Sequence, residues 1–303
     1  MLNFTQTLSI ACIAFACWTS TTFAAEQNEN RANAQVAAPA SVINKREIKE
    51  NAVEQNPFAI TFYKQNYIMP LYYTGSPDNK AYTTAIPANQ TINNLEVKYQ
   101  LSLKVPIWKN VFSSQSSFYF GYTQLSYWQA YNRNAFFRET DFQPEVFLAN
   151  IVSWHLTRSW EVNAFNIGAV HESNGFGNEM ERSWNRVYVE AIASNNHLML
   201  SVKPWYVFHD STYNKFNPNM SDYLGYGEIG LAYKFANQVL SLQTHSLFEQ
   251  GGRRATGTAT YSFPLTKYLN GYVQAFSGYG QSLIEYNHRT NSVGVGIALN
   301  NLI

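Results

Sequence analysis

The stretch Val170-His171-Glu172-Ser173-Asn174-Gly175, followed by Arg182-Ser183-Trp184-Asn185-Arg186, is the richest in reactive side chains. A serine hydroxyl attacks an ester when a base takes its proton, and imidazole is the usual base. The base needs a group that fixes its tautomer, a task a carboxamide oxygen can perform. His171 and Ser173 are two residues apart, so on a strand they share a face. Asn174-Gly175 marks a turn beyond them. Phe165, Ile167 and Ala169 share the parity of His171, and Asn185 shares parity with Val187, Val189, Ala191 and Ala193. Both rows are apolar. His171, Ser173 and Asn185 are therefore expected to meet on the apolar face of two neighbouring strands. A Ser and a His two apart are commonplace alone; the Asn of matching parity across a short connection is what marks this pair. An uncharged Asn suits such a face, where an unpaired carboxylate would be costly.

The elements that position these residues read as strands. From Pro57 onward apolar residues recur with period two. Ile229, Leu231, Tyr233 and Phe235 alternate with Glu228, Gly230, Ala232 and Lys234; Val293, Val295, Ile297 and Leu299 alternate with Gly294, Gly296 and Ala298. About twelve such segments fit before Ile303, among them 58–73, 115–131, 143–156, 160–173 and 184–194. An apolar face opposite a polar or small one fits a barrel with lipid outside and a polar lumen inside. A soluble sandwich alternates too, so the pattern leaves both open.

Composition narrows the class. The 303 residues are only 14% charged and 16% aromatic, with 21 Tyr and 20 Phe. A soluble enzyme usually carries charge on roughly a quarter of its residues. The net charge of +1 gives no reason to expect a nucleic-acid partner. Leu8 to Phe15 is apolar and Thr22-Phe23-Ala24 precedes Ala25, so residues 1–24 read as a cleaved export signal, although no Lys or Arg precedes the apolar run. Residues 25–55 read as a flexible periplasmic segment, and 56–303 as the folded domain. Both cysteines, Cys12 and Cys17, lie in the export segment, which excludes disulfides and thiolate metal sites from the rest. His155, His197, His209, His245 and His288 form no metal-ligand spacing.

The stretch from His171 to Arg186 resembles the signature of the bacterial outer-membrane phospholipase A family. Tyr122-Thr123-Gln124, Trp128-Gln129, Phe137-Arg138-Glu139-Thr140, Lys203-Pro204-Trp205-Tyr206 and the run Ser277 to Ile284 extend the resemblance, which covers Asn56 to Ile303. It implies an all-β fold, a twelve-stranded antiparallel transmembrane β-barrel in the outer membrane of a Gram-negative cell. It implies calcium-dependent hydrolysis of glycerophospholipid acyl esters, sn-1 and sn-2, to lysophospholipid and fatty acid, activated by homodimerisation. By the same resemblance Ser173 is the nucleophile, His171 the base, Asn185 the orienting residue and the Gly175 N–H an oxyanion donor. Calcium would be held by the Phe176 carbonyl, the Glu181 side chain and Asn134 of a second copy, and Gln124 would lie at the dimer interface. The family pattern has serine at the positions of Glu181 and Asn134 and arginine at Phe176. A second calcium site of the monomeric family form finds Asn178 and Tyr213 where its carboxylates would be, with Asp210 a nearby substitute. Arg138 and Glu139 are expected in an interior charge network. The competing reading is a passive structural or pore-forming barrel without lipase activity; a surface adhesin would need longer outer loops.

Overall fold

The computed structural model describes residues 41–43, 60–82, 85–301 and 303. The expected export signal, 1–24, and most of the expected 25–55 segment lie outside the described residues. Thirteen strand segments follow in chain order: β1 (Thr61–Phe62), β2 (Tyr67–Thr74), β3 (Leu95–Lys109), β4 (Ser116–Gln129), β5 (Phe136–His155), β6 (Glu161–Ser173), β7 (Ser183–Ser194), β8 (Leu198–Phe208), β9 (Gly227–Phe235), β10 (Gln238–His245), β11 (Thr256–Pro264), β12 (Asn270–Tyr279) and β13 (Arg289–Ala298). From β2 onward each pairs antiparallel with its sequence neighbours, and β13 returns to β2 through Val293↔Tyr73 and Ala298↔Tyr67, which closes the sheet. β1 and β2 both lie along the same edge of β3, at Thr61↔Lys104 and Tyr67↔Gln100, so they are two halves of one stave and the barrel has twelve. The single expected strand 58–73 breaks where Asn66 turns its side chain into the ladder. Its Oδ1 accepts from Ser102 N at 2.7 Å and its Nδ2 donates to Ser102 O at 2.9 Å.

The burial pattern is inverted relative to a soluble protein. Ile107 (57% exposed), Ile167 (58%), Leu71, Leu101, Val146, Val189, Leu231, Leu240 and Val293 face outward. Glu96, Lys98, Asp141, Glu145, Gln274 and a ladder of Ser and Thr are buried within. An apolar band around a polar interior is what a hydrocarbon surround selects, since closure leaves no strand edge unpaired. Trp108, Trp154 and Tyr268 crowd one end of the band; Trp128, Tyr131 and Phe137 crowd the other. The first end has tight connections, such as Ala236-Asn237 between β9 and β10. The second carries longer loops, among them 75–94, 174–182, 209–226 and 280–288.

The loop end is capped from inside. Leu283, Ile284, Glu285 and Tyr286 of the 280–288 loop are buried, and Ile284 N donates to Glu139 Oε1 at 2.8 Å. Arg138 forks onto Glu96 at 2.8 and 2.9 Å and reaches Glu285 at 3.1 Å. Arg138 and Glu139 are adjacent yet both fully buried. The pairing passes from Tyr127↔Glu139 to Trp128↔Phe137 and skips Arg138, a β-bulge that turns two successive side chains inward. That bulge also hides the alternation at 136–142, which is why β5 starts earlier than the expected 143. At the turn end, Val42 and Ile43 pack with Met199, Ala232, Val239 and Ile303. Within the expected 25–55 segment, Ser41–Ile43 are the described residues and are seated, with Val42 N donating to Asn195 O and Asn163 Nδ2 donating to Ser41 Oγ. Between the two ends the lumen retains a cavity of about 520 Å³ lined by Lys98, Asp141, Glu145, Arg186 and Glu190 among others.

Candidate active site

The register of β6 and β7 sets His171 opposite Asn185 and Ser173 opposite Ser183. Asn174 N donates to Arg182 O, making 174 and 182 a hydrogen-bonded pair. Counting back by alternation, 171–185 and 173–183 are the other kind of antiparallel pair, in which backbones come closer and side chains touch more readily. His171 Nδ1 and Asn185 Oδ1 are 2.8 Å apart, on the outward face. Ser173 lies on the same face, next to Phe142 of β5. The second imidazole nitrogen, Nε2, makes no hydrogen bond among the described residues. Bonds between a nucleophile and its base are often long without substrate and tighten when it binds.

Beyond Ser173 the chain is folded by Asn174, whose buried carboxamide accepts from Phe176 N at 3.3 Å and Arg182 N at 3.0 Å and donates to Met180 O at 2.9 Å. This ties the 174–182 loop at both ends. Gly175 then takes φ +68°, a conformation that favours glycine. Its N–H points back at Ser173 Oγ, 3.2 Å away. Behind the site, Glu172 faces the lumen and accepts from Trp184 Nε1 at 2.9 Å and Gln143 Nε2 at 2.8 Å, and it pairs with Arg186. The Arg186 guanidinium lies over the Trp184 ring at 3.8 Å. The outward residues thus stand on strands cross-braced from inside.

One contact was not read from the sequence. Asn185 Nδ2 donates to Asp210 Oδ2 at 3.1 Å. Asp210 is the N-cap of the short helix Ser211–Phe216, and its other oxygen accepts from Tyr213 N at 2.8 Å. The capping role was legible in Asp210-Ser211-Thr212 after a strand; its approach to Asn185 depends on the β7–β8 register and the path of the loop.

The sequence model described as Phospholipase A1 matches residues 43–299. The chain is 36% identical over 251 residues to Phospholipase A1 of Proteus vulgaris, covering 82% of this chain and 83% of that one. It is equally 36% identical, with the same coverage, to Phospholipase A1 of Escherichia coli K12. This chain belongs to the phospholipase A1 family. Among solved structures it is similar to the Salmonella typhi outer membrane phospholipase dimer with bound calcium, at 33% identity and a TM-score of 0.78, over 84% of this chain and 97% of that one. Outer membrane phospholipase A from Escherichia coli gives 34% identity and a TM-score of 0.77, over 83% and 96%.

In this phospholipase A1 family member the remaining expected site residues stand as follows. The Phe176 ring packs on the cluster of Tyr82, Ile92, Met180 and Ile284. Glu181 is held by its backbone, N–H to Asn178 O at 3.1 Å and carbonyl to Arg182 Nη1 at 2.7 Å, while its carboxylate has no hydrogen-bond or ion-pair partner among the described residues. Asn134 is exposed on another loop, tied to Gln90 through its backbone. Among the described residues no three His, Cys, Asp or Glu side chains group to hold a metal. Nor does Asp210 stand free as a substitute ligand at the second calcium position: both its oxygens are engaged, and Tyr213 is buried with its hydroxyl on Ser221 at 2.6 Å. Gln124 faces outward with Tyr122 and is partly satisfied along its own strand, accepting from Tyr122 OH at 3.0 Å and donating to Ser126 Oγ at 3.1 Å.

Proposed function

We propose that this chain is an outer-membrane phospholipase A that hydrolyses acyl esters of glycerophospholipids, with Ser173 as nucleophile, His171 as base and Asn185 as orienting residue. The observation that carries the reading is the 2.8 Å contact of His171 with Asn185 on the outward face, beside Ser173. With Nδ1 held by an amide oxygen, the lone pair of the imidazole is left on Nε2, the nitrogen free to take the serine proton. Ser173 Oγ attacks the acyl carbonyl as His171 accepts its proton. The tetrahedral oxyanion develops next to the Gly175 N–H, which can turn from Ser173 Oγ to the new charge. Collapse expels the lysophospholipid alkoxide, protonated by His171, and leaves the acyl group on Ser173. Water activated by the same imidazole then releases the fatty acid. Substrate reaches the site sideways: the acyl chains run along Ile167, Val187 and Val189, which line the same outward face.

Calcium and a second copy of the chain complete this reading. The donor set fits a hard cation: a backbone carbonyl at Phe176, a carboxylate at Glu181 without another partner, and the Asn134 carboxamide of a second copy, all oxygens. Calcium takes six to eight oxygens, more than one chain offers here, so waters and the second copy make up the shell. When bound, the ion supplies positive charge beside the developing oxyanion. Among the described residues, a lumen capped by Leu283–Tyr286 and crossed by the Arg138 pairs with Glu96 and Glu285 gives no support to a passive pore. Ser173→Ala tests the assignment: phospholipid hydrolysis in detergent is lost while the folded barrel keeps its compact electrophoretic mobility. Parental turnover in that variant would remove Ser173 from the mechanism.

A further inference from the structure

Asn185 can hold His171 correctly only if its own amide is the right way round. Oxygen and nitrogen of a carboxamide occupy nearly the same shape, and only the partners decide which goes where. If Asn185 turned its NH₂ to His171, Nδ1 would have to accept. The proton would then sit on Nε2, and the base would be blocked on the side facing Ser173. Among the described residues no backbone group bonds the Asn185 amide, so the strands themselves do not fix which way round it sits.

The geometry points to Asp210 as the residue that prevents it: a positioning residue that orients the Asn185 amide and, through it, selects the His171 tautomer that can act as base. This inference rests on the Ser173–His171–Asn185 reading and extends it by one member. The carboxylate of Asp210 offers acceptors only, and Asn185 must therefore meet it with Nδ2, at 3.1 Å. Asn185 Oδ1 is thereby directed to His171 Nδ1, at 2.8 Å, which must donate. Asp210 is itself fixed. Its Oδ1 is committed to Tyr213 N at 2.8 Å, and its carbonyl accepts from Asn214 N at 3.0 Å. Tyr213 is buried among Trp184, Val207, Met220, Leu224, Leu283 and Tyr286. Asn217 Nδ2 further ties the end of that helix to Ser183 O of β7 at 2.9 Å. One carboxylate thus divides its two oxygens between a helix end anchored in the loop cap and the amide of the catalytic face.

Replacing Asp210 separates the two duties. In Asp210→Asn the side-chain oxygen is still claimed by Tyr213 N, because asparagine caps helices as well as aspartate. Its NH₂ then faces the NH₂ of Asn185, two donors in contact, and Asn185 relieves the clash by flipping. In Asp210→Ser the hydroxyl caps the helix but leaves Asn185 Nδ2 unopposed. A capping role alone places both variants at parental activity. The proposed role ranks them parent, then serine, then asparagine in kcat, with the asparagine variant down about 10- to 100-fold and KM and the dimeric fraction unmoved. The rate at which an alkylsulfonyl fluoride labels Ser173 follows the same order. In an Asn185→Ala background the identity of residue 210 ceases to matter, since coupled residues lose their separate effects. Parental kcat in Asp210→Asn, or an unchanged cost of that substitution in the Asn185→Ala background, overturns the inference. Ser173→Ala run alongside tells the two failures apart. If it is inactive while Asp210→Asn is parental, only the role of Asp210 falls; if it is active, the triad falls with it.

Discussion

A methyl group added at Gly175 meets two obstacles. The backbone there has φ +68°, where an L side chain costs about 1–2 kcal/mol. An ideal Cβ also stands 3.0 Å from Phe142 Cε2, a ring of the neighbouring strand. The loop is pinned on either side by Asn174, so it cannot absorb the shift without moving the N–H that faces Ser173 Oγ. Gly175→Ala is expected to fold and to lower kcat about 100-fold, the cost of displacing one oxyanion donor, with little change in KM. A variant with parental kcat would show that this N–H does not serve the reaction. At this scale the shared outward face of His171, Ser173 and Asn185 was readable from parity alone, because a two-residue spacing fixes a common face on a strand. Asp210 was not readable as its neighbour, because 25 residues and a loop with two short helices separate it from Asn185.

Strands are legible where the alternation is clean and obscured where a bulge interrupts it. β6 and β7 fall within a residue of their expected spans because Phe165, Ile167, Val187 and Val189 keep strict parity. β5 does not, since the bulge at Arg138 places consecutive charged residues on one face. The inward fold of the 280–288 loop was equally hidden: Ser282-Leu283-Ile284-Glu285 reads as a mixed loop, and only the lumen's charges explain its burial. Arg138 is the element that joins the two. It meets Glu96 with two nitrogens, Glu285 with a third and the Tyr82 hydroxyl as well. Burial, only partly offset by the Arg138 charge, holds the Tyr82 phenol well above its usual range, so Tyr82 remains a neutral donor to Glu139. Arg138→Met leaves two carboxylates buried without their cation and is expected to cost about 3–5 kcal/mol of stability, the usual penalty for breaking a buried pair. Arg138→Lys keeps the charge but loses the fork and should fall between. Urea midpoints read the stability, and protease cleavage within 280–288 reads release of the loop. Equal midpoints for all three would show that the network contributes no net stability.

His171 and Asn185 lie on an apolar outer wall, so what that wall meets in the membrane can control an ester hydrolase built there. Gln124 is a polar residue on that wall, and its partners among the described residues leave one amide hydrogen and one oxygen lone pair unused. Two copies related by a two-fold axis can satisfy those groups reciprocally, which is the self-complementary arrangement a dimer of identical chains needs. The Glu181 carboxylate belongs to the 174–182 loop and has no cationic partner among the described residues. A divalent ion shared between Glu181 of one copy and Asn134 of the other would therefore link assembly to activity. In detergent, chelation is expected to lower turnover and the cross-linked dimer together, and added calcium to restore both along one titration curve. Glu181→Gln removes a charged ligand and shifts that curve to about tenfold higher calcium, because ligand charge sets affinity at such sites. The variant regains full kcat once the ion is supplied, since Glu181 touches neither the nucleophile nor its base. Turnover that survives chelation, or a dimer fraction indifferent to calcium, would separate the ion from assembly and leave Gln124 as the remaining basis for a dimer.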